Sequence, residues 1–148
     1  MSHISELPVI QEAIGSFASP KPISRHRYVV TIDDRIECAH QLNLPYESKC
    51  NRPHGHTYRI RVTIGSLHLN SDGMVVDFSQ IKSIIREYDH RDLNVYVKPS
   101  TAEAFAELLL ETISERLKPL NPDAQVLEVG VGETQTTMVM VQYASEHR

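Results

Sequence analysis

His54-Gly55-His56-Thr57-Tyr58-Arg59-Ile60-Arg61-Val62-Thr63-Ile64 alternates without a break. Side chains of an extended chain project to opposite faces with a period of two. Tyr58, Ile60, Val62 and Ile64 therefore share one face, and Thr57, Arg59, Arg61 and Thr63 share the other. That is a strand with one face in a core and one in water. His54 and His56 have the parity of the apolar residues, so two imidazoles stand at one end of the inward face. Gly55 between them removes bulk and lets another group approach.

Upstream, Arg27 to Ile36 reads as a partner strand, with Tyr28, Val30, Ile32 and Ile36 on one face. If the alternation continues, His40 falls on that face too. The polar stretch 41–53, with Pro45 and Pro53, is a loop. Downstream, Asn70-Ser71-Asp72-Gly73 is a turn signal, and Met74-Val75-Val76 reads as a short strand. Asp77 has the chemistry of a helix cap, with Gln80 three residues on. Phe78, Ile81, Ile84, Ile85 and Tyr88 form the stripe of a first helix. Pro99-Ser100-Thr101 opens a second helix, carrying Phe105, Leu108, Leu109, Thr112 and Ile113 and ending before Pro119. Two last strands are expected over 125–132 and 137–143. The result is an α+β domain: an antiparallel four-stranded sheet with two helices packed on one face. Its exposed edges favour oligomerisation.

The 148 residues make about one domain, read as an N-terminal extension over 1–24 and a folded unit over 25–148. Ile10, Ile14 and Phe17 have helical spacing, but Gly15, Pro20 and Pro22 interrupt it. A hydrophobic content of 41% supports a core without disulfides or a structural metal. A net charge of -4 gives no field to draw nucleic acid or an acidic membrane. No apolar run approaches the roughly 18 residues of a membrane span. Met1 to Phe17 lacks the basic-then-apolar pattern of a secretion signal. The two cysteines, Cys38 and Cys50, are too few for a secreted disulfide framework and read as reduced thiols of a cytoplasmic protein.

The chemistry gathers at a few positions. A catalytic zinc takes three protein ligands and keeps one position open, and three histidines are one solution. His54, His56 and, from the neighbouring strand, His40 fit that pattern. Cys50, in Lys49-Cys50-Asn51-Arg52-Pro53, lies four residues before His54 and offers a base or nucleophile beside a metal. Asp89-His90 offers a proton relay in which the carboxylate orients the imidazole. Glu133 continues the inward parity of Leu127-Val129-Val131, and a carboxylate there needs a partner. A guanidine-like heterocyclic edge supplies two parallel donors to such a group.

Taken in order, these pieces resemble the 6-pyruvoyl-tetrahydropterin synthase / 6-carboxytetrahydropterin synthase family of the tunnelling fold (T-fold). The resemblance covers roughly Tyr28 to Tyr143. It rests on Ala39-His40, on Cys50 with His54-Gly55-His56, and on Gly73-Met74-Val75-Val76-Asp77-Phe78. Asp89-His90-Arg91-Asp92-Leu93-Asn94, Thr101-Ala102-Glu103 and Glu133-Thr134 complete it. The resemblance implies zinc on His40, His54 and His56, and a catalytic triad of Cys50, Asp89 and His90. It implies a pterin ring anchored by Glu133, with Thr101 at the start of the pterin-binding helix. It also implies a homohexamer with active sites at subunit interfaces. The short gap from Cys50 to His54 and the Val-Val-Asp-Phe run look like the bacterial carboxy branch. That branch takes 7,8-dihydroneopterin triphosphate to 6-carboxytetrahydropterin on the way to 7-deazaguanine compounds such as queuosine. Ile36, Tyr88 and Ala104 depart from the usual family residues and bear on pocket shape. Lys49, Arg52 and Arg91 are the candidates for holding the triphosphate. The rival readings are a synthase that stops at 6-pyruvoyltetrahydropterin and a non-catalytic zinc- or pterin-binding protein of the same fold. A hydrolytic metalloenzyme is the weakest.

Overall fold

The computed structural model describes residues 27–144, and the extension expected at 1–24 lies outside them. Strand β1 runs Tyr28–His40 and β2 runs His54–Ser66. They pair antiparallel along their whole length, with His40 opposite His54, Cys38 opposite His56 and Ile36 opposite Tyr58. Helix α1, Phe78–Arg86, leads to a two-residue strand β3, Arg91–Asp92. Helix α2, Ala102–Leu117, precedes β4, Ala124–Gly132, and β5, Val139–Val141.

The sheet has five strands in the order β3-β1-β2-β4-β5, not four. The added strand is β3, which lies parallel to β1 at Cys38 and Ala39. Two residues leave no readable alternation, so this edge is invisible to periodicity. Conversely, Met74-Val75-Val76 forms no strand. Val75 and Val76 are buried as part of a connection into α1, and the Asn121 side-chain amide donates to the Val75 carbonyl at 3.0 Å. Burial explains the apolar run without a ladder.

The inward face of β2 is as its alternation requires: Tyr58, Ile60, Val62 and Ile64 are all buried. Each such side chain contributes about 1.5–3 kcal/mol of burial. In β4 the register shifts against Thr63 and Ile64, so that Val126 pairs with Ile64 and Glu128 with Thr63. Leu127 falls in the extra residue, and Val126, not Leu127, joins Val129 and Val131 in the core.

The Asp77 carboxylate caps α1 by accepting the Ser79 amide at 2.9 Å and the Ser79 hydroxyl at 2.7 Å. Ser79 takes the place expected of Gln80. Ile81, Ile84 and Ile85 face the core, whereas Phe78, the first residue of the helix, is exposed. Thr101 caps α2 by accepting the Ala104 amide at 3.2 Å. Phe105, Leu109 and Ile113 pack inward with Ala102, Ala106, Leu110 and Leu117. The outcome is one layer of helices over one face of a sheet. The paired ends of β1 and β2, where the histidines stand, lie beside the start of α2. Among the described residues no helix is long and apolar enough to cross a membrane.

Candidate metal centre and active site

The register that pairs His40 with His54 brings three imidazoles together on the inward face. One ligand nitrogen from each of His40, His54 and His56 lies within 4.8 Å of the others. His40 Nε2 and His56 Nε2 are 3.2 Å apart. With metal–nitrogen bonds of about 2.0–2.1 Å, tetrahedral ligands stand roughly 3.3–3.4 Å from each other, so this pair already has the spacing of a zinc edge.

The other ring nitrogens carry the orientation. His40 Nδ1 is 2.7 Å from the Ser100 carbonyl, and His54 Nδ1 is 2.7 Å from the Arg52 carbonyl. A carbonyl only accepts, so both Nδ1 atoms hold the proton and both Nε2 lone pairs are free. Burial first, and then the neighbouring imidazoles, hold His56 below its ordinary pKa against the opposing pull of Glu133. A neutral imidazole is the form a metal takes. The donor set, its tautomers and its spacing therefore fit a zinc ion with an open position.

Several groups set this arrangement that the sequence did not mark as site residues. Ser100 is fully buried. Its hydroxyl sits 3.3 Å from the Gln41 carbonyl and 3.1 Å from Asn94 Oδ1. Asn94 accepts the Gln41 amide and donates to the Gln41 carbonyl, both at 2.8 Å. The chain just past His40 is thereby fastened to the segment that supplies the Ser100 carbonyl. Tyr58 forms the floor, edge-on to His56, His40 and Phe105. Its hydroxyl is buried with no partner among the described residues. Burial, with the Glu133 charge adding to it, pushes its pKa up, so it stays a neutral phenol. A tyrosine two residues past an HxH pair was the available signal.

Glu133 reaches the cluster, as its parity required. Its carboxylate oxygens lie 3.9 Å from His40 Nε2 and 4.0 Å from His56 Nε2. Thr101 caps α2 directly after Ser100, at the same end of the sheet. Cys50 is a half-buried free thiol in the 3-10 turn Lys49–Asn51, with its carbonyl accepting the Leu42 amide at 2.8 Å. That bond ties the thiol's turn to the chain two residues beyond His40.

Asp89 and His90 are elsewhere. The Asp89 carboxylate accepts the Glu37 amide at 2.8 Å and lies 3.1 Å from His90 Nδ1. The Glu37 amide above all, helped by His90, holds Asp89 below the usual carboxylate range. His90 has a φ of 57°, in the left-handed region, and its amide donates to the Glu37 carbonyl. His90 lines a groove with Glu37, Cys38, Ala39, Gly55, His56, Thr57, Arg91 and Asp92. Glu37, Ala39 and Thr57 have the parity opposite to the histidines, whereas Cys38 and His56 have the buried-face parity, so His90 attends mainly the outer face of the sheet and borders one of the three clustered histidines. No hydrogen bond joins it to Cys50 among the described residues. Of the three triphosphate candidates, Arg91 lines this outer groove, while Lys49 and Arg52 flank Cys50.

Comparison with known proteins agrees with this geometry. The 6-pyruvoyl tetrahydropterin synthase family model matches residues 29–144. A putative 6-carboxy-5,6,7,8-tetrahydropterin synthase from Pyrococcus horikoshii is 49% identical over 56 residues, 38% of this chain and 35% of that protein. The match thus spans about a third of that relative's length. The 6-carboxy-5,6,7,8-tetrahydropterin synthase of Synechocystis is 33% identical over 112 residues, covering 68% of this chain and 86% of the relative. The structure of Caenorhabditis elegans 6-pyruvoyl tetrahydropterin synthase superposes with a TM-score of 0.58 at 26% identity, over 80% of this chain and 99% of that one. The family match over most of the chain, on a T-fold with the histidines in place, makes this protein a member of the 6-pyruvoyl tetrahydropterin synthase family.

Proposed function

We propose that the protein is a zinc-dependent 6-carboxytetrahydropterin synthase. It converts 7,8-dihydroneopterin triphosphate and water to 6-carboxy-5,6,7,8-tetrahydropterin, acetaldehyde and triphosphate, and serves queuosine and other 7-deazaguanine synthesis in the cytoplasm. A lyase acting on pterins is the activity class that the family supports. The observation that carries the finer reading is the convergence of His40, His54 and His56, with the Glu133 carboxylate beside them.

His40, His54 and His56 hold the metal through their ligand nitrogens. Zinc, when bound, supplies Lewis acidity that makes side-chain hydroxyl and carbon-bound protons easier to remove. Glu133 accepts the two donors of the ring's guanidine edge and so fixes which substrate atoms reach the cluster. The Cys50 thiolate accepts a proton from the side chain, and His90, oriented by Asp89, moves another. Because no hydrogen bond joins Asp89 or His90 to Cys50 among the described residues of one chain, the reading calls on a homohexamer in which one subunit's pair meets another's thiol and metal.

The family description and the Caenorhabditis elegans structure bear the pyruvoyl name, which favours triphosphate elimination alone as the second reading. Incubating the zinc-loaded protein with 7,8-dihydroneopterin triphosphate and weighing the products decides between them. A 6-carboxypterin species with acetaldehyde, lost in Cys50→Ala, is the expected result. A pyruvoyl product moves the protein to the other branch, and no turnover with zinc retained leaves a binding protein.

A further inference from the structure

The β4–β5 hairpin loop, residues 133–138, begins with Glu133 and is held from the opposite face of the sheet by one side chain. Arg59 stands on the outer face of β2, directly opposite Gly132. Its Nη2 donates to the Thr134 carbonyl at 2.9 Å and to the Thr137 carbonyl at 3.1 Å, and its Nε is 3.3 Å from the Thr134 carbonyl. One guanidinium thus joins two carbonyls from the two ends of the loop. The Thr134 and Thr137 hydroxyls, 2.8 Å apart, close the same loop from within.

Gly132 makes the clasp possible. A Cβ at that position would lie 2.8 Å from Arg59 Nη2 and 2.8 Å from the Thr137 carbonyl oxygen, too close for any side chain. The next residue, Glu133, turns to the inner face and brings its carboxylate to His40 and His56. The hairpin therefore works as a lever through the sheet, with Arg59 on one side and the carboxylate on the other.

We infer that Arg59 is a positioning residue for Glu133 and that its clasp sets the affinity of the site for a pterin ring. This rests on the reading of Glu133 as the ring anchor. The clasp touches no metal ligand, so its loss separates ring binding from metal binding. Lysine keeps the charge but not the planar fork, and restores the clasp only in part.

The test uses zinc-loaded full-length protein, with Arg59→Met and Arg59→Lys beside the parent. Three quantities are measured: zinc per chain, hydrogen exchange of the Thr134 to Met138 amides, and the Kd for unsubstituted pterin by fluorescence. Arg59→Met is expected to keep its zinc, to exchange these amides at least about tenfold faster, and to bind pterin about tenfold more weakly, as a misplaced positioning group does. Arg59→Lys should lie between it and the parent. Unchanged exchange would overturn the clasp. Faster exchange with pterin affinity within about twofold of the parent would overturn the positioning role. A parent that binds no pterin would instead sink the reading of Glu133 itself, and the positioning role with it.

Discussion

The histidine cluster and the Asp89–His90 pair are built in opposite ways. The cluster stands on two long strands in full register, on the buried face, with two imidazoles locked by backbone carbonyls. The pair stands on the turn between α1 and a two-residue edge strand, and the His90 side chain is 77% exposed. A metal site needs several ligands held at fixed spacing, which the sheet supplies within one chain. The pair needs no such shared register: the Glu37 main chain holds it through both the Asp89 carboxylate and the His90 amide. One chain thus brings its three candidate metal ligands together and leaves the His90 side chain exposed.

The largest expected effect comes from breaking the buried side. His40→Ala removes a buried ligand and should abolish zinc binding, with turnover falling at least about a thousandfold, as removal of an essential catalytic element does. Zinc analysis beside a product assay checks it; retention of stoichiometric zinc would show that the centre does not depend on β1.

Breaking the exposed side should leave the metal alone. His90→Ala is expected to lose about a hundred- to ten-thousandfold in kcat, the range of general acid–base catalysis, at unchanged zinc content. Refolding His90→Ala together with Cys50→Ala should restore part of the activity if the pair serves another subunit's thiol. No recovery from the mixture would place all three groups in one chain's site.

A smaller effect sharpens the contrast at the seam between the regions. Cys38 lies on the buried face of β1, and its Sγ donates to the Tyr88 carbonyl just before the pair at 3.1 Å. Burial pushes this thiol from 9.0 up to about 11. Its protonated form is the one the fold favours. That contribution to stability is whole below pH 9.0 and is lost as the pH rises through about 11. At pH 8, iodoacetamide should label Cys50 and spare Cys38, as mass mapping of the native protein would show. Denaturation midpoints should fall between pH 9 and 11 in the parent, and less so in Cys38→Ser.

The smallest effect concerns the helix that leads to the pair. Asp77→Ala removes the α1 cap and should cost about 1 kcal/mol, read as a lower Tm, with zinc content untouched. A change in metal affinity would show that α1 and the cluster are coupled after all.

The legibility of the molecule divides along the same line. β1, β2 and both helices follow from alternation and helical spacing, because each buries one face against the same core. The three histidines are legible for that reason too: they share the parity of Ile36, Tyr58 and Ile60. β3 is not legible, since two residues carry no period. Met74-Val75-Val76 misleads because a buried connection and a buried strand have the same composition. Leu127 misleads because a bulge reverses parity without marking the sequence.

By itself the sequence determined which residues are paired with which face, and so that His40, His54 and His56 share one. Local alternation and the apolar drive to bury are enough for that. Only the tertiary structure decided that the Ser100 and Arg52 carbonyls set the imidazole tautomers, that Asp89 and His90 are fastened to the Glu37 main chain, and that Arg59, opposite Gly132, holds the loop of Glu133. Except for the Arg52–His54 contact, which spans only two residues, each of these joins segments far apart in the sequence. Such contacts are made by the order and register of strands, which no local pattern encodes.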